Sequence, residues 1–224
     1  KILHEMRFGE MARLHMVPHT PYYGTVDATP LFVWLFVELV RWLDDDALYQ
    51  ELLPNVRRAL EWIDQFGDVD GDGFVEYVAS TNRGGIRNQA WKDSHDSYTM
   101  PDGSLAETPL ASSEVQGYVY AAKQGMSELL RRKGETEWAD TLAAQAAELK
   151  RRFNQAFWMP DAQCIAEGLE AAKRQIPTIS SNAGQCLWTG IVDDDKAALV
   201  AARLLEPDML SGWGIRTISS TSGS

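Results

Sequence analysis

Apolar residues recur along the chain at the three- and four-residue spacing of helices, in paired segments divided by long polar stretches. Thr29-Pro30 reads as a helix start, with Thr as N-cap and Pro at the first helical position. Leu31, Phe32, Leu35, Phe36, Leu39, Val40 and Leu43 follow at helical spacing, and Val33, Trp34 and Val37 fill the other face. That pattern predicts a helix buried nearly all round. Asp44-Asp45-Asp46 ends it and caps the next, where Leu48, Leu52, Val56, Leu60 and Ile63 carry the period to about Phe66. Pro54 is expected to divide this stretch into a short and a long helix. Phe74 to Val78 alternates like a short strand. Thr108-Pro109 repeats the Thr-Pro start, and Val115, Val119, Ala122, Met126, Leu129 and Leu130 run on to a stop at Gly134. Trp138, Leu142, Ala146, Leu149, Phe153 and Phe157 mark the next helix. Ala183 to Thr189 forms a short one, and Asp193-Asp194-Asp195 caps a last helix that ends near Leu205.

Between these pairs, residues 1–26, 80–107 and 159–181 are polar and irregular, the last with weak strand character, and 212–217 is loop or strand. Irregular segments this long are usually functional or disordered. No βαβ alternation appears, which removes doubly wound and TIM-barrel folds. Helix pairs with functional loops at one end suggest an α/α toroid or an α-solenoid. No self-similarity at a period of about 33 or 34 residues supports a repeat array. Hydrophobic residues make up 45% and charged residues 24%, so wholesale disorder is excluded. The formal net charge of −11 argues against nucleic acid and anionic membranes as partners and suits a neutral substrate. The most apolar run, Leu31 to Val40, is interrupted by Glu38 and is too short to span a bilayer. Cys164 and Cys186 read as buried thiols in a reducing compartment, and the expected location is cytoplasmic. The N-terminus has neither an initiator Met nor a signal core, so the chain is expected to be part of something longer.

The densest polar cluster is Asn88-Gln89-Ala90-Trp91-Lys92-Asp93-Ser94-His95-Asp96-Ser97. A carboxylic acid donates a proton to a leaving oxygen only if burial or a nearby carboxylate raises its pKa. Trp91 offers an apolar wall, and Asp96 or a distant carboxylate a negative field. Lys92 pushes the other way, so its ammonium must point elsewhere or orient substrate. The same residues also fit a solvated loop with Asx-turns. Glu114 and Gln116 lie near a helix start, Glu114 close to the apolar face, as a capping partner or a group aimed into a polar cavity. Asp27 follows Tyr22-Tyr23-Gly24-Thr25-Val26, just before a helix N-terminus that would keep it ionised. Asp68-Val69-Asp70-Gly71-Asp72-Gly73 opens like a calcium loop, but the twelfth position is Ala79 where an EF-hand needs Glu. A plain Asp-Gly turn is the preferred reading, with Glu76 as a fourth nearby carboxylate. Trp91, Trp188 and Trp213 fall in or beside loops, where an indole can stack on a sugar ring. The four histidines show no metal spacing, and no metal or cofactor is expected. Asp44-Asp45-Asp46 lacks the later Asp that a magnesium–diphosphate prenyl site needs.

Taken in order, several segments resemble the bacterial glycogen-debranching-enzyme-like (amylo-α-1,6-glucosidase-related) family of glycoside hydrolases. They are Lys1-Ile2-Leu3-His4-Glu5, Tyr22 to Phe32, Asp70-Gly71-Asp72-Gly73-Phe74-Val75-Glu76-Tyr77, Asn88 to Ser94, Glu114 to Tyr118, Ser181 to Gly190 and Ser211 to Thr217. The resemblance implies an all-α, glucoamylase-like (α/α)6 toroid with short β-hairpins in its loops, and an inverting mechanism. It carries the general acid to Asp93, with Asp96 as fallback. Asp27, Glu114 and Gln116 map to positions expected to grip sugar hydroxyls. Tyr23, Asn88, Gln89, Trp91, Lys92, Asp96 and Trp213 complete the expected substrate-binding set. His95 stands where an aromatic such as Trp is expected. The family continues past the Gly-Trp-Gly-Ile-Arg-Thr segment into further helices, where the catalytic base is expected. With six or seven helices counted, residues 1–224 are expected to be about half of one toroid domain, completed by the parent chain or a second chain. The expected activity is hydrolysis of an α-glucan or related oligosaccharide. A carbohydrate-binding helical module without turnover and a scaffold of helical hairpins are the competing readings.

Overall fold

The computed structural model describes residues 1–80 and 85–222. After a single helical turn, α1 (Glu10–Arg13), three helical hairpins stand in two rows. They pair α2 (Ala28–Leu43) with α3 (Asp46–Trp62), α4 (Ser113–Arg132) with α5 (Thr136–Ala156), and α6 (Asn182–Thr189) with α7 (Asp194–Leu204). In the front row α4 lies between α2 and α6, and each front helix is backed by its own partner. Val115, Val119, Ala122, Met126 and Leu130 of α4 are buried, as its spacing predicts. Two glycines let the neighbours close in. A Cβ on Gly117 would lie 2.6 Å from Thr189 Oγ1 of α6, and one on Gly125 would lie 2.9 Å from Val37 Cγ1 of α2.

Among the described residues, five two-residue strands sit in the connections. β1 (Ala111–Ser112) precedes α4, and β2 (Trp158–Met159), β3 (Cys164–Ile165), β4 (Gly168–Leu169) and β5 (Gln175–Ile176) lie between α5 and α6. β2 pairs with β3. β4 pairs antiparallel with both β1 and β5, with Ser112 opposite Gly168. The hairpins expected in the loops are therefore present.

Four expectations change. The helix after Thr108-Pro109 begins only at Ser113, because the backbone from Leu110 to Ser112 is engaged elsewhere. Leu110 exchanges hydrogen bonds with Tyr77, and Ala111 and Ser112 pair with β4. Pro54 lies within an unbroken α3. It faces solvent, and so does Gln50, whose carbonyl loses the Pro54 N–H and is left to water. The strand at 74–78 reduces to a bridge between Tyr77 and Leu110, since Val75 bonds the Gln116 side chain instead of a neighbouring strand. Finally, α2 is not buried all round: Val33, Phe36, Val37 and Val40 are enclosed, but Leu35, Trp42 and Leu43 are exposed. Residues 85–107 form the irregular loop expected there, while 81–84 of the same stretch lie outside the described residues. No described helix is long and apolar enough to cross a membrane.

Candidate active site

The N-termini of the three front helices meet. Asp27 is the N-cap of α2, Ser112 the N-cap of α4, and Ser181 the N-cap of α6. Glu114, in the first turn of α4, accepts hydrogen bonds from the Ser112 hydroxyl and from Asn182 Nδ2, the latter at 2.6 Å. Ser112 Oγ also bonds the Tyr98 hydroxyl at 2.7 Å. β4 brings in another acid. Glu167 directly precedes it, and the Glu167 carbonyl accepts from Ser113 N at 3.1 Å. Lys92, from the polar loop, ion-pairs with Glu167 and donates to the Thr217 carbonyl at 3.0 Å. Three carboxylates thus gather where three helix N-termini present partial positive charge, with one buried ammonium among them.

Burial dominates the electrostatics. The Glu114 side chain is enclosed, and its pKa is pushed up to about 7. Desolvation is the main cause, opposed by the Ser112 and backbone hydrogen bonds and reinforced by the charges of Asp27 and Glu167. Burial also raises Asp27 above the usual carboxylate range, against bonds from Thr25 and the Ala28 amide. Desolvation thus works against the helix N-terminus at Asp27. Burial raises Glu167 as well, against the pull of Lys92. Around pH 7 Glu114 exists in both protonation states, so it can donate or accept a hydrogen bond. Its Oε1 is buried and has no hydrogen-bond partner among the described residues, as is also true of Asn182 Oδ1 and Ser181 Oγ. These atoms are enclosed by the protein, so a hydroxyl-rich ligand would reach them only if the side chains around them moved.

The residues expected to bind substrate separate into groups. Asp27 and Glu114 are buried and close enough for the Asp27 charge to act on Glu114. Four others bond the protein itself. Both ends of the Gln116 amide hold the Val75 backbone, at 2.9 and 2.8 Å. Asn88 accepts from the Tyr77 hydroxyl and donates to the Ser94 carbonyl. Gln89 Nε2 donates to the Val78 carbonyl, and Lys92 is held by Glu167. The third group is open to solvent: Tyr23, Trp91, Asp93, Asp96 and the fully exposed Trp213. Sequence reasoning missed Glu167, Asn182 and Ser112 as members of the cluster. One signal was available for Glu167, as an acid inside the run Cys164-Ile165-Ala166-Glu167-Gly168-Leu169.

The sequence profile of the mannosylglycerate hydrolase MGH1-like glycoside hydrolase domain matches residues 10–223. No curated protein matches the chain in sequence. Among solved structures, a rhamnosidase from Klebsiella oxytoca with rhamnose bound aligns with TM-score 0.56 and 20% identity, over 80% of this chain and 30% of that one. The GH78 rhamnosidase of Bacillus sp. GL1 aligns with TM-score 0.62 and 16% identity, over 82% of this chain and 17% of that one. The neutral trehalase of Saccharomyces cerevisiae aligns with TM-score 0.61 and 10% identity, over 88% of this chain and 46% of that one. The chain spans less than half the length of each. The likeness shows the fold: the three hairpins are about half of an (α/α)6 glycosidase toroid.

Proposed function

The chain belongs to the MGH1-like glycoside hydrolase family, and we propose that it forms the acid-bearing half of an inverting glycosidase site. One observation carries the reading: Asp27, Glu114 and Glu167 converge at three helix N-termini beside buried polar atoms that no described residue bonds. Asp27 and Glu114 grip hydroxyls of the sugar at the cleavage subsite. Asp93, exposed in this half beside buried Lys92 and requiring the other half of the toroid to enclose it, protonates the leaving oxygen, with Asp96 as fallback. Tyr23, Trp91 and Trp213 supply aromatic faces for sugar rings. Asn88, Gln89, Lys92 and Gln116 act one step back, by fixing the loops that carry these groups. Inversion needs a second carboxylate about 6.5–9.5 Å from the acid to activate water, and we assign it to residues outside this chain.

The substrate we propose is an α-glucan or related oligosaccharide, cleaved in the manner of a debranching α-1,6-glucosidase. Three buried carboxylates face one buried ammonium, and that ammonium already has partners. Uncharged hydroxyls suit such a site better than the glycerate carboxylate of mannosylglycerate does. The test is made in the protein carrying both halves of the toroid. Asp93→Asn should lower kcat by about 10²–10⁴-fold with sugar binding kept, because proton donation acts in the transition state. Near-normal turnover by Asp93→Asn, with loss in Asp96→Asn, moves the acid to Asp96. Hydrolysis of mannosylglycerate without hydrolysis of any glucan overturns the substrate assignment.

A further inference from the structure

The loop from Asp68 to Glu76 gathers four carboxylates, one ligand oxygen from each lying within 4.8 Å of all the others. That spread is what one oxygen-coordinated ion permits, since ligands about 2.3–2.6 Å from a calcium ion lie at most about 5 Å apart. The same carboxylates also shape the loop. Asp68 accepts from the Gly71 and Gly73 amides at 2.7 and 2.8 Å, and Asp72 from the Phe74 amide at 2.9 Å. Glu76 differs from its three neighbours. Its side chain is fully buried, and its Oε2 has no partner among the described residues. Four converging carboxylates, one of them enclosed, require a counter-charge.

That charge comes from another part of the chain. The Lys173 ammonium lies 2.7 Å from Asp70 Oδ2 and 2.6 Å from Asp72 Oδ2, and it also pairs with Glu76 Oε1. An ammonium has three donors, and all three find a carboxylate. Lys173 sits in the tight turn between β4 and β5, at a φ of 62° that side-chain-bearing residues seldom adopt, with its N–H bonded to the Glu170 carbonyl at 2.8 Å. The turn holds the ammonium in place at high local concentration. Partial burial alone would lower its pKa, but the three carboxylates outweigh this and hold it above the ordinary range.

We propose that Lys173 is the resident cation of this four-carboxylate site, seated where a divalent ion of the calcium type would otherwise bind, so that the loop is fixed without metal. The inference is independent of the hydrolase reading. It assigns a second role to the Asp-Gly-Asp-Gly segment, whose pattern by itself reads as a turn. Lys173→Met empties the centre and leaves four uncompensated carboxylates, which turns the loop into a site for calcium.

The experiment follows thermal unfolding and calorimetric calcium titration of the protein carrying both halves of the toroid, using calcium chloride at about 1 mM or a chelator. The unchanged protein should melt at the same temperature in both and take up no calcium. Lys173→Met should melt lower in chelator, regain several degrees with calcium, and bind one ion. Lys173→Met/Glu76→Gln should lose that response. Lys173→Arg, which keeps the charge, should fold and ignore calcium. If Lys173→Met is unfolded in chelator, calcium should refold it, and failure to do so overturns the proposal. Calcium binding by the unchanged protein with an equal melting shift also overturns it, since the ion then displaces the ammonium. So does a Lys173→Met variant that folds and shows no response.

Discussion

Glu114 holds its proton to a pH at which an exposed glutamate would long have lost it, and this has a measurable cost. Its pKa lies near 4.5 in the unfolded chain and is pushed up to about 7 in the fold. Between those values the native state binds more protons than the unfolded state. Stability from this group is therefore full below pH 4.5 and declines as pH rises through 7. At 1.36 kcal/mol per pH unit, the loss is on the order of 3 kcal/mol. Asp27, Glu76 and Glu167 are also raised and slope the same way, so a comparison must isolate Glu114. Glu114→Gln keeps the shape and cannot ionise. Urea unfolding at pH 5 and pH 8 should show the variant gaining about 2–3 kcal/mol on the parent between the two. Parallel stabilities would mean that Glu114 titrates like a surface acid. Its place was legible, because a carboxylate on the apolar side of a helix breaks the period and stands out. Glu167 was not, because two-residue strands define no period for it to break, and its partner Lys92 lies 75 positions away.

Helices with a polar side declared themselves. α5 and α7 follow their apolar spacing to within a residue or two, since each has one buried face and one wet one. The starts were harder. Thr29-Pro30 lies in the first turn of α2, but Asp27 rather than Thr29 is the N-cap, so the helix begins two residues before the expected start, and the same pair at Thr108-Pro109 sits before β1. Local chemistry permits a helix in both places, and the strand partners Tyr77 and Gly168 decide the second. What no periodicity reveals is how closely helices approach, and here glycine decides. At Gly125, alanine would add about 1 kcal/mol of helix propensity. Its Cβ would also meet Val37 Cγ1 at 2.9 Å, and Val37 is buried and β-branched, so it cannot turn aside. Overpacking costs about 1–3 kcal/mol and should win. Gly125→Ala should therefore unfold at lower denaturant, with net destabilisation of about 1 kcal/mol. A stabilised variant would show that α2 and α4 have room to separate.

The expected all-round burial of α2 fails along a face that also carries residues of α6. Trp34 of α2 and Trp188 of α6 meet over the front row with ring centroids 4.4 Å apart. With Leu31, Leu35 and Glu38 they line an open groove of about 520 Å³. Leu35 is 66% and Trp188 69% exposed. In a closed toroid the front rows of the two halves face a common axis, and we propose that the other half covers this groove. Large contiguous apolar patches on soluble monomers mark interaction sites or aggregation liabilities. The net charge of −11 opposes self-association, but that repulsion is screened by salt while apolar attraction is not. Residues 1–224 expressed alone should therefore bind a hydrophobic dye at any ionic strength and associate more as salt rises. Leu35→Glu should weaken both effects, and the protein carrying both halves should show neither. With the base placed outside it, the 224-residue chain should also turn over no oligosaccharide. Light scattering at about 20 mM and 500 mM salt, with dye fluorescence and a hydrolysis assay, makes the comparison. A dye-negative monomer at both salts would show that the groove needs no cover, and turnover by that monomer would place the base within these residues.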